Sequence, residues 1–94
     1  MGNARPQSQM RPQEIEVQID YFSFMPHDIT VAAGATVTWV NLDDVQHTVA
    51  SRDKTFKSKV LGTDERFSFT FDKPGTYEYC CSIHPKMQAR VIVR

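Results

Sequence analysis

From Glu14 to the C-terminus, hydrophobic and polar residues alternate with period two between turn residues, and no helical stripe of any length interrupts them. Ile15, Val17 and Ile19 alternate with Glu14, Glu16, Gln18 and Asp20, and Val37 and Trp39 alternate with Thr36 and Thr38. Phe67, Phe69 and Phe71 alternate with Ser68 and Thr70, and Tyr77 and Tyr79 with Thr76 and Glu78; the chain closes on Arg90-Val91-Ile92-Val93. Turn chemistry falls between these runs, at Pro26, Ala33-Gly34, Asn41 to Asp44, Gly62 to Asp64 and Asp72-Lys73-Pro74-Gly75. Successive strand side chains point to opposite faces, so each run has one apolar face to bury. Short strands at this spacing predict an all-β fold, a sandwich of about seven to eight strands in two packed sheets. Trp39, Phe67, Phe69 and Phe71 are expected in its core. Arg52 to Asp64 carries the weakest pattern and reads as a loop or a weak edge strand.

With 94 residues the chain has room for one core. Residues 14–94 are expected to form that domain. Residues 1–13 (MGNARPQSQMRPQ) are polar and proline-containing, lack the apolar stretch of a signal peptide, and read as a disordered lead-in. Eleven basic and eleven acidic side chains cancel, which gives no general reason to expect nucleic acid or an anionic membrane as partner. No apolar run approaches the roughly 18 residues a membrane helix requires, so no membrane span is expected in this chain. Arg52, Lys54, Lys57 and Lys59 crowd one stretch relieved by Asp53; a solvated loop face accounts for them, a docking patch for an acidic partner being the alternative.

Candidate chemistry is concentrated in Tyr79-Cys80-Cys81-Ser82-Ile83-His84-Pro85-Lys86-Met87. Cys81, His84 and Met87 stand three apart at the end of a strand and in the loop behind it. Singly, each has an ordinary structural explanation, as a buried thiol, a surface histidine or a gap-filling methionine. Together, thiolate, imidazole and thioether are the donors of a soft, copper-type site, and two imidazoles with one thiolate and a weak axial Met describe a blue-copper centre. The second imidazole has to come from elsewhere, and His47, at the head of an expected strand Thr48-Val49-Ala50, supplies it. Strand parity selects the cysteine. Tyr77 and Tyr79 face the core and Glu78 faces water, so Cys81 points inward and Cys80 outward. Adjacent cysteines join only through a strained ring that an extended strand does not accommodate, so no structural disulfide is expected. Cys80 reads as an inert thiol, with a dimerisation point or an adventitious metal and oxidation site as alternatives. His27 reads as a surface residue.

The stretch from Pro26 to Asn41, the Phe71-to-Tyr79 strand and the short Cys81-to-Met87 loop resemble the cupredoxin family across nearly all of Glu14 to Arg94. The loop is most similar to that of the amicyanins within it. The resemblance implies a Greek-key β-sandwich of eight strands, one type 1 copper ion at one end, and a role as electron carrier, with the His84 ring edge near the surface. It marks Asn41 and Thr48 as neighbours of the ligands. Many members carry Asn directly after the first histidine, where it ties the two ligand loops together; here Thr48 stands in that place, and its hydroxyl offers a similar bond. Ile83 and Pro85 are expected to form an apolar patch, with Val45 alongside and Lys86 and Arg90 at its rim, where redox partner proteins dock near His84. The expected state is a monomer, and the family resemblance implies a periplasmic or other extracytoplasmic location.

Three further classes compete for the same residues. A multicopper oxidase or nitrite reductase needs further histidines for additional copper sites, and the chain has three in all, so no enzyme is expected. A copper storage or delivery module shares the ligand set but favours exposed, exchangeable ligands. A sandwich that has lost its metal would not keep all four ligand positions filled.

Overall fold

The alternating runs become strands wherever an apolar face finds a partner sheet, and the computed structural model describes residues 13–94. The strands are β1 (Glu14–Asp20), β2 (Ser23–Met25), β3 (Asp28–Val31), β4 (Ala35–Asn41), β5 (Ala50–Ser51), β6 (Arg66–Phe71), β7 (Gly75–Cys80) and β8 (Gln88–Val93). They form two four-stranded sheets, ordered β2-β1-β4-β6 and β3-β8-β7-β5. The expected all-β sandwich is therefore what the chain forms. Of the expected lead-in, residues 1–12 lie outside the described residues. Gln13 is tied in: its carbonyl accepts the Thr36 N–H at 2.8 Å and its side-chain oxygen the Ala32 N–H at 3.1 Å.

Two pairings are parallel, β1 with β4 (Val17 opposite Trp39) and β3 with β8 (Ile29 opposite Val91). The remaining pairings are antiparallel, among them β4 with β6 and β7 with β8. Gly34, at φ 94°, makes the turn between β3 and β4, a conformation that strains any residue with a Cβ.

Val17, Ile19, Val37, Trp39, Leu61, Phe71, Tyr79 and Val91 are fully or almost fully buried between the sheets. Each such side chain contributes about 1.5–3 kcal/mol by leaving water. Phe67, Phe69, Ile15 and Tyr77 pack against this core while staying partly accessible, because the ends of an open sandwich cannot cover every inward position.

One local expectation differs from the structure. The strand after His47 is only Ala50–Ser51, and His47 itself forms an isolated antiparallel bridge with Leu61. The weakly patterned segment Arg52 to Asp64 is a loop, as expected, with isolated bridges at Lys57 and Leu61. It folds back to bury Phe56 and Leu61, and the Phe56 ring stacks on Trp39 with centroids 5.4 Å apart. With two large apolar residues five apart, period-two reading had nothing to register.

Candidate metal centre

The alternation of β7 carries one residue past its end. Tyr79 and Cys81 are buried and Cys80 is half-buried on the outer side of the sheet. Both cysteines are free thiols. Behind Cys81 the chain turns back on itself: the Cys81 N–H donates to the Met87 carbonyl at 3.2 Å and the Met87 N–H to the His84 carbonyl at 2.9 Å. That short turn presents His84 half-buried and Met87 buried at the same end of the sandwich. His47, on the neighbouring segment, is completely buried; its backbone exchanges hydrogen bonds with Leu61 at 3.1 and 2.8 Å.

These three segments converge. Cys81 Sγ lies 3.6 Å from His47 Nδ1 and 3.7 Å from His84 Nδ1, and the two imidazole centroids are 4.9 Å apart. One donor atom from each of His47, Cys81 and His84 falls within 4.8 Å of the others, the only such group of His, Cys, Asp and Glu side chains among the described residues. Met87, buried, closes the loop through its backbone bonds to Cys81 and His84. Asn41, Thr48, Ile83 and Pro85 gather around the same end. His27, by contrast, is an exposed residue hydrogen-bonded to Asp28.

The sulfur is held in a polar cradle. The Thr48 N–H donates to Cys81 Sγ at 3.3 Å, with the Thr48 hydroxyl at 3.8 Å. The same hydroxyl oxygen accepts the Ser82 N–H at 2.7 Å, so Thr48 makes the tie between ligand segments that its position promised. Burial acts to raise the pKa of the Cys81 thiol. The Thr48 N–H and the imidazoles of His47 and His84 outweigh it and bring the pKa down to about 6, which favours the thiolate, the form that binds metal. Asn41 is buried; its amide donates to the Val45 and Leu61 carbonyls at 3.0 and 2.9 Å and its side-chain oxygen accepts the Asp43 N–H at 2.9 Å, shaping the loop that delivers His47.

Two residues at the site escaped sequence reasoning. Asp43 Oδ2 accepts a 2.9 Å hydrogen bond from His47 Nε2, and this bond holds the Asp43 carboxyl below the usual carboxylate range. With Nε2 committed to a carboxylate, which only accepts, Nδ1 is the nitrogen left to bind a metal. Phe22 stands edge-on to both histidines. An acid four residues before a candidate ligand was the one available signal for Asp43; an aromatic in a hairpin turn gave none for Phe22.

Outside the ligands is an open apolar depression of about 460 Å³, lined by Phe22, Ile83, His84, Pro85, Lys86 and Met87. Val45 is exposed but does not line it, and Arg90 does not rim it. Arg90 is engaged by Asp28 at 2.8 Å instead.

Two imidazole nitrogens facing one buried thiol, with Met87 buried in the same loop, form a donor set that fits copper; a thioether is a ligand that hard cations do not select. Fold and site together define a copper-binding β-sandwich. The chain belongs to the cupredoxin-like domain family, whose model matches residues 2–93, and copper is the cofactor of this class. It is 32% identical to amicyanin from Paracoccus versutus over 84 residues, which cover 84% of this chain and 64% of that protein. Among solved structures, a purple cupredoxin from Nitrosopumilus maritimus superposes with a TM-score of 0.82 at 31% identity, covering 85% of this chain and 99% of that one. A copper-containing nitrite reductase from Thermus scotoductus matches with a TM-score of 0.82 at 35% identity, but the match covers 90% of this chain and only 23% of the reductase.

Proposed function

We propose that this chain is a small electron carrier whose one type 1 copper ion is held by His47 Nδ1, Cys81 Sγ, His84 Nδ1 and the Met87 thioether. The observation that carries this reading is the pair of Nδ1 atoms, 3.6 and 3.7 Å from a single fully buried sulfur. Copper bound to such a set supplies a one-electron couple. The chain's own contribution is to keep the ligands still. Cys81 is cradled by Thr48, His47 is bound by Asp43 on one side and bridged to Leu61 on the other, and Thr48 ties the two segments together. Fixed ligands keep the reorganisation cost of electron transfer small.

His84 gives the electron its way out. Among His47, Cys81 and His84 it alone is incompletely buried, and its flanks, Ile83 and Pro85, are exposed beside an apolar depression. A modest apolar surface suits a partner that binds briefly and leaves. Redox partner proteins dock there, with Lys86 as the adjacent cation. An Ile83→Lys variant that transferred electrons to its partner as fast as the wild type would remove this docking assignment.

The protein acts as a monomer formed by residues 14–94 and works in an extracytoplasmic compartment, a reading supported by family likeness. It is not an enzyme on this reading: the chain covers under a quarter of the one catalytic neighbour described above, and its only histidine outside the centre is on the surface. Storage or delivery of copper is the weaker alternative, because His47 and Cys81 are 0% exposed and offer no route for rapid exchange.

One equivalent of Cu(II) added to the reduced protein tests the proposal. An intense blue band with narrow copper hyperfine splitting in EPR is expected, lost in Cys81→Ser and kept in Cys80→Ser. A colourless or ordinary tetragonal copper spectrum sinks the electron-carrier reading in favour of storage or delivery.

A further inference from the structure

Tyr21 and Phe22 join β1 to β2 with two consecutive left-handed residues, at φ 51° and 56°. A two-residue hairpin loop of this kind ordinarily takes Asn-Gly, because a bulky side chain at positive φ is strained. Such strain persists only where the surroundings impose it, and it concentrates at functional positions. Here the constraint comes from a distant loop. The Phe22 N–H donates to Asp43 Oδ2 at 3.1 Å, the same oxygen that accepts His47 Nε2 at 2.9 Å.

The carboxylate is itself fixed. Its other oxygen accepts the Asp44 N–H at 2.9 Å, and the Asp43 N–H and carbonyl are bonded to Asn41 Oδ1 and to the Thr63 hydroxyl at 2.9 and 2.7 Å. The turn so held sets the Phe22 ring edge-on to His84 at 5.1 Å between centroids and to His47 at 5.6 Å, with interplanar angles of 84° and 83°. One aromatic ring thus touches both imidazoles from the solvent side, and one carboxylate oxygen joins that ring's backbone to the inner imidazole.

We propose that Asp43 is a positioning residue that clamps Phe22 and His47 to each other, and that the clamped Phe22 ring is a lid closing the metal centre to small exogenous anions. The lid rests on the copper reading above; the clamp does not. Closure on this side leaves the edge of His84 between Ile83 and Pro85 for electron transfer while denying an anion a direct approach to the metal.

The clamp is tested by NMR on the metal-free protein. His47 is expected to be protonated at Nε2, and solvent exchange of that proton and of the Phe22 amide is expected to be at least about tenfold faster in Asp43→Ala than in the wild type. Asp43→Asn, which retains an oxygen acceptor, is expected to keep most of the protection. A wild-type His47 unprotonated at Nε2, or exchange unchanged in Asp43→Ala, overturns the clamp, and the first of these is readable even if that variant fails to fold. The lid is tested by titrating azide into the Cu(II) protein and following the visible spectrum. The wild type is expected to be unresponsive, Phe22→Ala to bind azide at least about tenfold more tightly, and Phe22→Leu to restore most of the closure. An equal response in wild type and Phe22→Ala overturns the lid. A wild type that takes up no copper overturns the lid together with the proposed function, and the exchange data still decide the clamp.

Discussion

The Thr48 hydroxyl oxygen accepts the Ser82 N–H at 2.7 Å, a direct bond between the segment that delivers His47 and the one that begins at Cys81. Thr48 is 6% exposed while Ser82 is exposed, so water replaces the lost bond only in part. Thr48→Val removes the acceptor of that N–H, which costs about 0.5–1.5 kcal/mol, the net worth of a hydrogen bond whose donor water reaches in part. Urea unfolding of the metal-free variant is expected to show that loss, with faster release of copper from the loaded form. Thr48→Asn is expected to keep the tie. Unchanged stability and copper retention in Thr48→Val would mean the bond holds nothing together.

Phe56 belongs to the segment with the weakest pattern, yet its ring lies against Trp39, Phe67, Phe69, Phe71 and Tyr79. Phe56→Ala is expected to cost about 3–5 kcal/mol, the range for emptying a buried aromatic site. Small domains have about 5–15 kcal/mol in total, so the urea midpoint is expected to fall far, and further than in Phe69→Ala, whose ring is only partly buried. A loss below about 1 kcal/mol would show that the segment does not cover the core.

Tyr79 is 1% exposed and its hydroxyl meets no hydrogen-bond partner among the described residues; burial pushes its pKa well above the ordinary tyrosine value. A buried hydroxyl without a partner costs about 1–3 kcal/mol. Tyr79→Phe is therefore expected to unfold at equal or higher urea concentration than the wild type. A loss of about 1 kcal/mol or more would identify the Trp39 indole, whose ring stands edge-on 5.3 Å away, as a working donor to that hydroxyl.

Asp28 accepts hydrogen bonds from Arg90 Nε and Nη2 at 3.2 and 2.8 Å, and the pair holds its carboxyl below the ordinary value of 3.8. A carboxyl depressed in the folded state contributes stability that is complete above its unfolded pKa and is lost as pH falls through the folded value. Asp28→Asn is therefore expected to be less stable than wild type at neutral pH, the difference narrowing below about pH 4. Thermal midpoints across that range check it; a constant difference down to about pH 2 would mean that the pair contributes no pH dependence.

Much of this protein was legible in the chain alone. Period-two alternation placed Val17, Trp39, Phe71 and Tyr79 inside, because strand geometry sends neighbouring side chains to opposite faces. The same parity chose Cys81 over Cys80, and the spacing of Cys81, His84 and Met87 was readable because one short loop carries all three. Tertiary structure decided what depends on approaches between distant segments. The parallel pairings of β1 with β4 and β3 with β8 leave no mark on either strand's own pattern. Phe56 faces the core only because its loop folds back over the sheet. Phe22 and Asp43, 21 residues apart, meet only when the β1–β2 turn reaches the loop before His47. Alternation records which face of a strand is buried; which segments then lie side by side is settled by sheet order and loop closure, and no local pattern carries that information.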